Sequence, residues 1–230
     1  MKKTVLITGA SGNLGKATVH KFINDGYKVI ATVTPGKSLG YSVDGECYEY
    51  EADLSNEQSV NSVVKEILSK HSTINAALLL VGGFALGNIS KTDATALKKM
   101  FAINFDTAYF VARPIFDHML TQPEGGKLIF VGARPALRPK DGKGSLAYSL
   151  SKTLIFKLAE ILNAEGAARN VTASVIVPST IDTEVNRKAM PDKDFSTWVK
   201  PEDIADAMAF LCSSSAAPLR ETVLKIYNRS

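Results

Sequence analysis

Residues 4–8 (TVLIT) run straight into the glycine-rich turn 9–15 (GASGNLG). A helical apolar pattern follows through about Asp25, with Leu14, Val19, Phe22 and Ile23 on one face. A short buried strand that turns on glycines into a helix is the opening of a parallel βαβ unit. The rest of the chain repeats this alternation. Apolar runs at 27–33, 46–51, 74–81, 127–131, 171–177 and 223–227 read as strands, the sixth stopped by Pro178. Helical patterns fall at 55–70, 92–120 and 145–166. A further one begins with Pro201 as its first-turn proline and ends near Cys212. Ser55, with Gln58 three residues on, has the spacing of a capping box. Residues 34–44 (TPGKSLGYSVD) hold a proline and glycines, which predicts a loop where a second helix would otherwise stand.

Strands alternating with helices demand a parallel sheet with both faces covered. The expected fold is therefore α/β, a single-domain doubly wound parallel sheet (Rossmann fold) over residues 1–230. No repeat, low-complexity tract or linker divides it. In such a sheet a ligand sits at the carboxyl ends of the strands, where strand order reverses. Residues just after each strand are the ones to inspect for chemistry.

Composition narrows the function classes. The net charge of +4 is mild and its residues are scattered, so nucleic-acid binding is not expected. One cluster stands out, Arg134, Arg138, Lys140 and Lys143 with Asp141 among them. It reads either as a solvated loop or as a rim that attracts an anionic substrate or a cofactor phosphate. Cys47 and Cys212 lie in no CxxC or Cys/His cluster, so neither a metal site nor a disulfide framework is indicated, and a cytoplasmic location is expected. Lys2 and Lys3 before VLITGA imitate a signal peptide, but Gly9, Ser11, Gly12 and Asn13 interrupt the apolar run. The longest apolar stretch, 76–86, is too short and glycine-broken to span a bilayer, so no membrane association is expected. His20, His71 and His118 share no motif and read as structural or exposed.

Gly9, Gly12 and Gly15 let the backbone approach a pyrophosphate, and the helix start that follows supplies N–H donors and a positive dipole end. Ser11, Asn13 and Leu14 complete that turn as expected cofactor contacts. At the end of the second strand an acid would take the ribose hydroxyls, whereas a base would suit a 2′-phosphate. Thr34 stands there, with Lys37 just beyond and no acid. The expectation is NADP(H) or NAD(H), leaning to NADPH; the alternative is that Lys37 is only a loop lysine. Asp53-Leu54 follows the third strand, either to hold an adenine ring or as helix-start chemistry. Asn104, among Phe101, Ile103 and Phe105, is either a buried site residue or a surface asparagine. Tyr148 and Lys152, four apart in YSLSK, share a helix face. A free phenol has a pKa of about 10. An ammonium and an oxidised nicotinamide ring beside it would stabilise the phenolate and lower that value.

These pieces in this order resemble the short-chain dehydrogenase/reductase family along the whole chain: TGASGNLG, Asp53-Leu54, the Gly82-Gly83 turn, Asn104, YSLSK and Pro178 to Thr183 (PSTIDT). The resemblance implies an NAD(P)H-dependent oxidoreductase acting on a small molecule. Tyr148, Lys152 and Asn104 are then catalytic: Asn104 supports a proton-relay water, Tyr148 is the acid and Lys152 lowers its pKa. Gly82, Gly83, Lys152, Pro178 and Thr183 join the cofactor contacts, with Thr183 on the nicotinamide amide.

The chain also departs from the family pattern. Asn13 stands where most members have glycine, Leu80-Val81-Gly82-Gly83 replaces Asn-Asn-Ala-Gly, and Ser179 follows Pro178 where glycine is usual. The serine that bonds a substrate carbonyl is missing, since VGARPA offers Gly132 and Ala133; Ser145 is the one nearby substitute. GASGNLG, LLVGGFALGN, VGARPAL and TIDTEVNRKAMPDKDFSTW are similar to the quinonoid dihydropteridine reductase branch. That branch also lacks the serine and has a loop for the second helix. A conjugated C=N substrate forms no alkoxide, so a second donor matters less. By this resemblance residues 184–198 form a substrate lid, with Gly83 and Phe84 on the pocket wall. Two rivals remain at this stage: a carbonyl reductase of 3-oxoacyl thioesters or small ketones, and a dinucleotide-binding sensor without catalysis. The helices at 92–120 and 145–166 would pair with their copies in a homodimer or homotetramer.

Overall fold

A computed structural model describes residues 2–229. Seven parallel strands form one sheet: β1 (Thr4–Thr8), β2 (Lys28–Val33), β3 (Cys47–Glu51), β4 (Ala76–Leu79), β5 (Gly126–Val131), β6 (Val171–Pro178) and β7 (Val223–Ile226). Their order is β3-β2-β1-β4-β5-β6-β7. The helices in chain order are α1 (Asn13–Asn24), α2 (Glu57–Lys70), α3 (Ala94–Phe101), α4 (Thr107–Thr121), α5 (Arg134–Leu137), α6 (Pro139–Gly142), α7 (Leu146–Gly166), α8 (Glu184–Ala189) and α9 (Pro201–Cys212).

Strand order reverses at β1, which pairs with β2 on one side (Val5 opposite Val29) and β4 on the other (Val5 opposite Ala76). That reversal opens the crevice at the carboxyl ends of β1 and β4. All five residues of β1 are buried, as expected of a central strand with helices on both faces. Leu6, Leu128 and Phe130 face α2, α4 and α7 through Val60, Ile67, Ile115, Phe116 and Ile155. Val5, Ile7 and Ile129 face α1 and α9 through Val19, Phe22, Ile204 and Met208. Alternate residues of one strand thus serve opposite layers, and the sheet is clamped from both sides.

The doubly wound sheet and the loop between β2 and β3 match the sequence reading, and two local expectations do not. The capping residue of α2 is Asn56, whose side chain accepts from Ser59 N at 3.1 Å. Ser55 instead gives its N–H and hydroxyl to Asp53 Oδ1 (3.0 and 2.6 Å), a turn that uses it up before the helix begins. The helix expected over 92–120 is interrupted: a π-helical segment, Ala102–Asp106, separates α3 from α4. Such a bulge adds a residue to the turn and re-aims the side chains within it. It carries Asn104, which is 1% exposed and turned inward. The 184–198 segment, expected to form a lid, contains α8, capped by Thr183 accepting from Asn186 N at 3.2 Å.

Candidate active site

The glycine turn has the shape a pyrophosphate needs. Gly9 has φ +64°, and a Cβ on Gly15 would lie 2.2 Å from Gly9 O. Only glycine fits there, because helix and turn backbone meet in contact. Asn13 opens α1 outside the left-handed region, so a side chain is tolerated where the family usually has glycine. Gly9 and Ser11 line a cleft of about 230 Å³ that continues along Thr32, Thr34, Asp53, Leu54 and Val81 to Thr107 on α4. Asp53 lines the cleft, and its carboxylate is bonded to Ser55. Those bonds from Ser55 hold its pKa below the usual carboxylate value. Thr32 Oγ1 is buried at the cleft with no partner among the described residues, a polar atom left for a ligand. These features fit a dinucleotide.

Thr34 is on the cleft wall; Lys37 is not, and its N–H closes a turn onto Thr34 O at 3.0 Å. Sequence reading missed what holds this loop. Glu51 accepts from Gly36 N at 2.7 Å, Glu49 accepts from Leu39 N, and the Tyr41 hydroxyl reaches Ala10 O in the glycine turn at 2.9 Å. The period-two rule held the signal: Glu49 and Glu51 share one face of the edge strand β3, and Thr32 and Thr34 share one face at the end of β2.

A second group of residues converges at the carboxyl ends of β4 and β5. Asn104 clamps Gly83 from both sides, its Oδ1 accepting from Gly83 N at 2.9 Å and its Nδ2 donating to Gly83 O at 3.0 Å. Nδ2 also reaches Ser151 Oγ at 3.1 Å, so α7 is tied to the same point. The surface alternative for Asn104 is thereby excluded. Lys152 is buried and donates to Val131 O, at the end of β5, at 2.8 Å. Burial lowers its pKa to about 8. Tyr148 is packed edge-to-face against Phe84, ring centroids 5.0 Å apart. Its hydroxyl makes no hydrogen bond among the described residues, and burial pushes its pKa up to about 12. The expected acidification by Lys152 is thus absent in the protein alone. The ammonium is engaged at Val131, and desolvation penalises the phenolate.

Gly82 explains the altered fourth-strand motif. A Cβ there would come within 2.8 Å of Asn104 Oδ1 and 3.1 Å of Lys152 Nζ. The missing serine also has a packing correlate. A Cβ on Gly132 would meet Phe156 at 2.7 Å and Val175 at 2.8 Å, and Ala133 is buried. Ser145 is buried with its hydroxyl 3.4 Å from Ser149 Oγ, on the inner side of α7.

Pro178 is the last residue of β6, and Thr183 caps α8 just beyond, on the same edge of the sheet. The 184–198 segment is fastened at both ends. Asp182 N donates to Val199 O (2.8 Å) and Val199 N to Thr180 O (3.0 Å). Arg187 binds Asp182 through two nitrogens (2.6 and 2.8 Å), lies over the Phe195 ring, and Trp198 is buried.

Comparison with known proteins decides the family. The short chain dehydrogenase family profile matches residues 3–194. The chain belongs to that family. As a short-chain dehydrogenase/reductase it is an NAD(P)H-dependent reductase that takes a nicotinamide dinucleotide. Similar curated members include a dihydropteridine reductase of Dictyostelium discoideum, 27% identical over all of this chain and 96% of that protein. Another is an acetoacetyl-CoA reductase of an Acinetobacter strain, 24% identical over 98% of this chain and 96% of its own length. Among solved structures, ElxO with NADP bound shares the fold at a TM-score of 0.89, with 22% identity, covering 98% of this chain and 97% of that one. No described helix is long and apolar enough to cross a membrane, and the described residues contain no cluster of three metal-ligating side chains.

Proposed function

We propose that this short-chain dehydrogenase/reductase reduces a quinonoid dihydropteridine, or a similar conjugated C=N substrate, with Tyr148 as the proton donor. The observation that carries this reading is the presence of one open donor without a second. Tyr148 carries an unbonded hydroxyl, while Ala133 stands where a second hydroxyl would be and Ser145 is engaged with Ser149. Reduction of a ketone builds charge on oxygen and gains from a second donor. Reduction of a conjugated C=N delivers the proton to ring nitrogen and needs only one. The full-length similarity to a dihydropteridine reductase supports the same choice.

The bound dinucleotide supplies the hydride. Gly9, Ser11, Gly12, Asn13, Leu14 and Gly15 would hold its pyrophosphate, Asp53 and Leu54 the adenine, and Thr34 and Lys37 the adenosine ribose. Gly82, Gly83 and Lys152 would hold the nicotinamide ribose, and Pro178 with Thr183 the carboxamide. The absence of a carboxylate at Thr34, with Lys37 beyond, favours NADPH over NADH. Tyr148, with its pKa raised to about 12, keeps its proton at neutral pH, as a donor in the reducing direction must. Lys152, anchored on Val131 O, stabilises the phenolate left after transfer until a proton from solvent replaces the one given up, and Asn104 fixes the Gly83 backbone. Phe84, 61% exposed beside Tyr148, gives a flat apolar wall for a conjugated ring, over which residues 184–198 would close as a lid. Tyr109, Leu150 and Ile161, exposed on α4 and α7, suit pairing with a second copy in a homodimer or homotetramer. Free Cys47 and Cys212 suit the reducing cytoplasm.

The rival is reduction of a 3-oxoacyl thioester or small ketone, the chemistry named for the acetoacetyl-CoA reductase relative. Steady-state NADPH oxidation with a quinonoid dihydropterin and with a ketone and 3-oxoacyl panel separates the two. The proposal expects kcat/KM for the dihydropterin to exceed the best carbonyl by at least about a hundredfold. A carbonyl that matches or beats it overturns the proposal.

A further inference from the structure

At the opposite edge of the sheet, a strand length from the dinucleotide cleft, the amino ends of β1, β4, β5 and β6 surround a second cavity of about 230 Å³. Lys3 enters it just before β1, Lys127 from the start of β5 and Arg220 from the segment before β7. We propose that this cavity binds a small phosphate-bearing anion, held by Lys3, Lys127 and Arg220.

Charge balance is the first argument. None of the three cations belongs to an ion pair among the described residues, although nine other pairs occur there. Glu124, the carboxylate-bearing residue on the wall, pairs with none of them. Like charges gathered at a half-buried site repel, and an anion between them removes that cost. Burial lowers the Lys127 pKa most; Cys212 raises it, and Lys3 and Arg220 each lower it.

Preorganisation is the second argument. Lys127 Nζ is fixed by Leu211 O at 2.6 Å. The Arg220 guanidinium is fixed by Ala217 O (2.7 Å), Leu219 O (3.0 Å) and Asn170 Oδ1 (2.9 Å). All four acceptors are neutral, so both cations keep their full charge while giving up side-chain freedom before any ligand arrives. Asn75, on the same wall, accepts from Thr4 N through Oδ1 at 2.7 Å, and its NH₂ makes no bond among the described residues. Two amines, a guanidinium and an amide NH₂ make a donor-only set, which suits a tetrahedral oxyanion with more than one negative charge.

The test uses the full chain saturated with NADPH, so that the dinucleotide cleft is filled. Calorimetric titration at low ionic strength with inorganic phosphate, and separately with pyrophosphate, is expected to give one site per chain. Tighter binding of pyrophosphate would assign the site to a diphosphate ligand, and equal or weaker binding to a monophosphate. Lys127→Met and Arg220→Gln are each expected to weaken binding about tenfold or more, with NADPH oxidation unchanged. Arg220 is exposed, so its variant keeps the test sharp if Lys127→Met fails to fold. Absence of binding by both anions, or binding that neither variant weakens, overturns the proposal.

Discussion

Gly82→Ala should be far more damaging than one methyl group suggests. The backbone at Gly82 is outside the left-handed region, so alanine is not excluded by conformation. The damage comes from contact. The new Cβ would sit 2.8 Å from Asn104 Oδ1 and 3.1 Å from Lys152 Nζ, inside the closest comfortable carbon–oxygen approach of about 3.3 Å. Relief requires Asn104 to leave Gly83, giving up hydrogen bonds of 2.9 and 3.0 Å, at about 1 kcal/mol each. Overpacking adds about 1–3 kcal/mol. The expected loss is therefore about 3–5 kcal/mol, read as a lower urea midpoint at unchanged slope. Displacing Lys152 by a few tenths of an ångström or more should also lower kcat about a hundredfold. Gly83→Ala is the internal control. Its Cβ meets only the Ile103 side chain, Cδ1 at 3.0 Å and Cγ2 at 3.4 Å, which needs to give by only a few tenths of an ångström, so stability and kcat should change much less. A Gly82→Ala protein as stable and active as the parent, or a Gly83→Ala protein damaged as badly, refutes this account of the joint between Asn104 and Lys152.

Two further outcomes test the fold's polar contacts. Asn163, buried on α7, bridges Ala159 O, Ala173 O and Ala173 N at 2.8–2.9 Å; Asn163→Leu strands the Ala173 N–H and should cost about 2–4 kcal/mol by urea unfolding. A change below about 0.5 kcal/mol would contradict that role. His71 is buried, bonded to the Tyr50 hydroxyl at 3.0 Å with Nδ1 unpaired, and burial holds its pKa below the usual 6.5. The unfolded chain then binds the proton more readily, so this stability is complete above about pH 6.5 and is lost progressively as pH falls from there through the lower folded value. Urea midpoints at about pH 7.5 and about pH 5.5 should differ more for the parent than for His71→Gln, and equal differences would remove His71 from the account.

What the sequence made legible was local or periodic. The strand, glycine turn and first helix could be read because Gly9 and Gly15 answer a demand made within a few residues, and the central strands announced themselves by apolar runs, the edge strand β3 by alternation. The loop at 34–44 followed from its own proline and glycines. The π-helical break was not legible, because it accompanies Asn104 reaching Gly83, twenty-one positions away in the chain. The cap of α2 fell to Asn56 because Asp53 captured Ser55, a competition that spacing alone does not rank. The phenol's raised pKa comes from burial, and Lys152 is held at Val131 O, both long-range facts. Lys3, Lys127 and Arg220 meet only because strands begin side by side, so no motif marks their cavity.

Rapid-mixing kinetics on Tyr148→Phe reach the central claim, that this one hydroxyl delivers the proton. The phenyl ring keeps the packing against Phe84 and removes only the donor. NADPH affinity, followed by fluorescence, should stay within about twofold of the parent, while the single-turnover rate falls about a hundred- to ten-thousandfold. A variant that turns over at the parental rate with cofactor bound would contradict the account at its root.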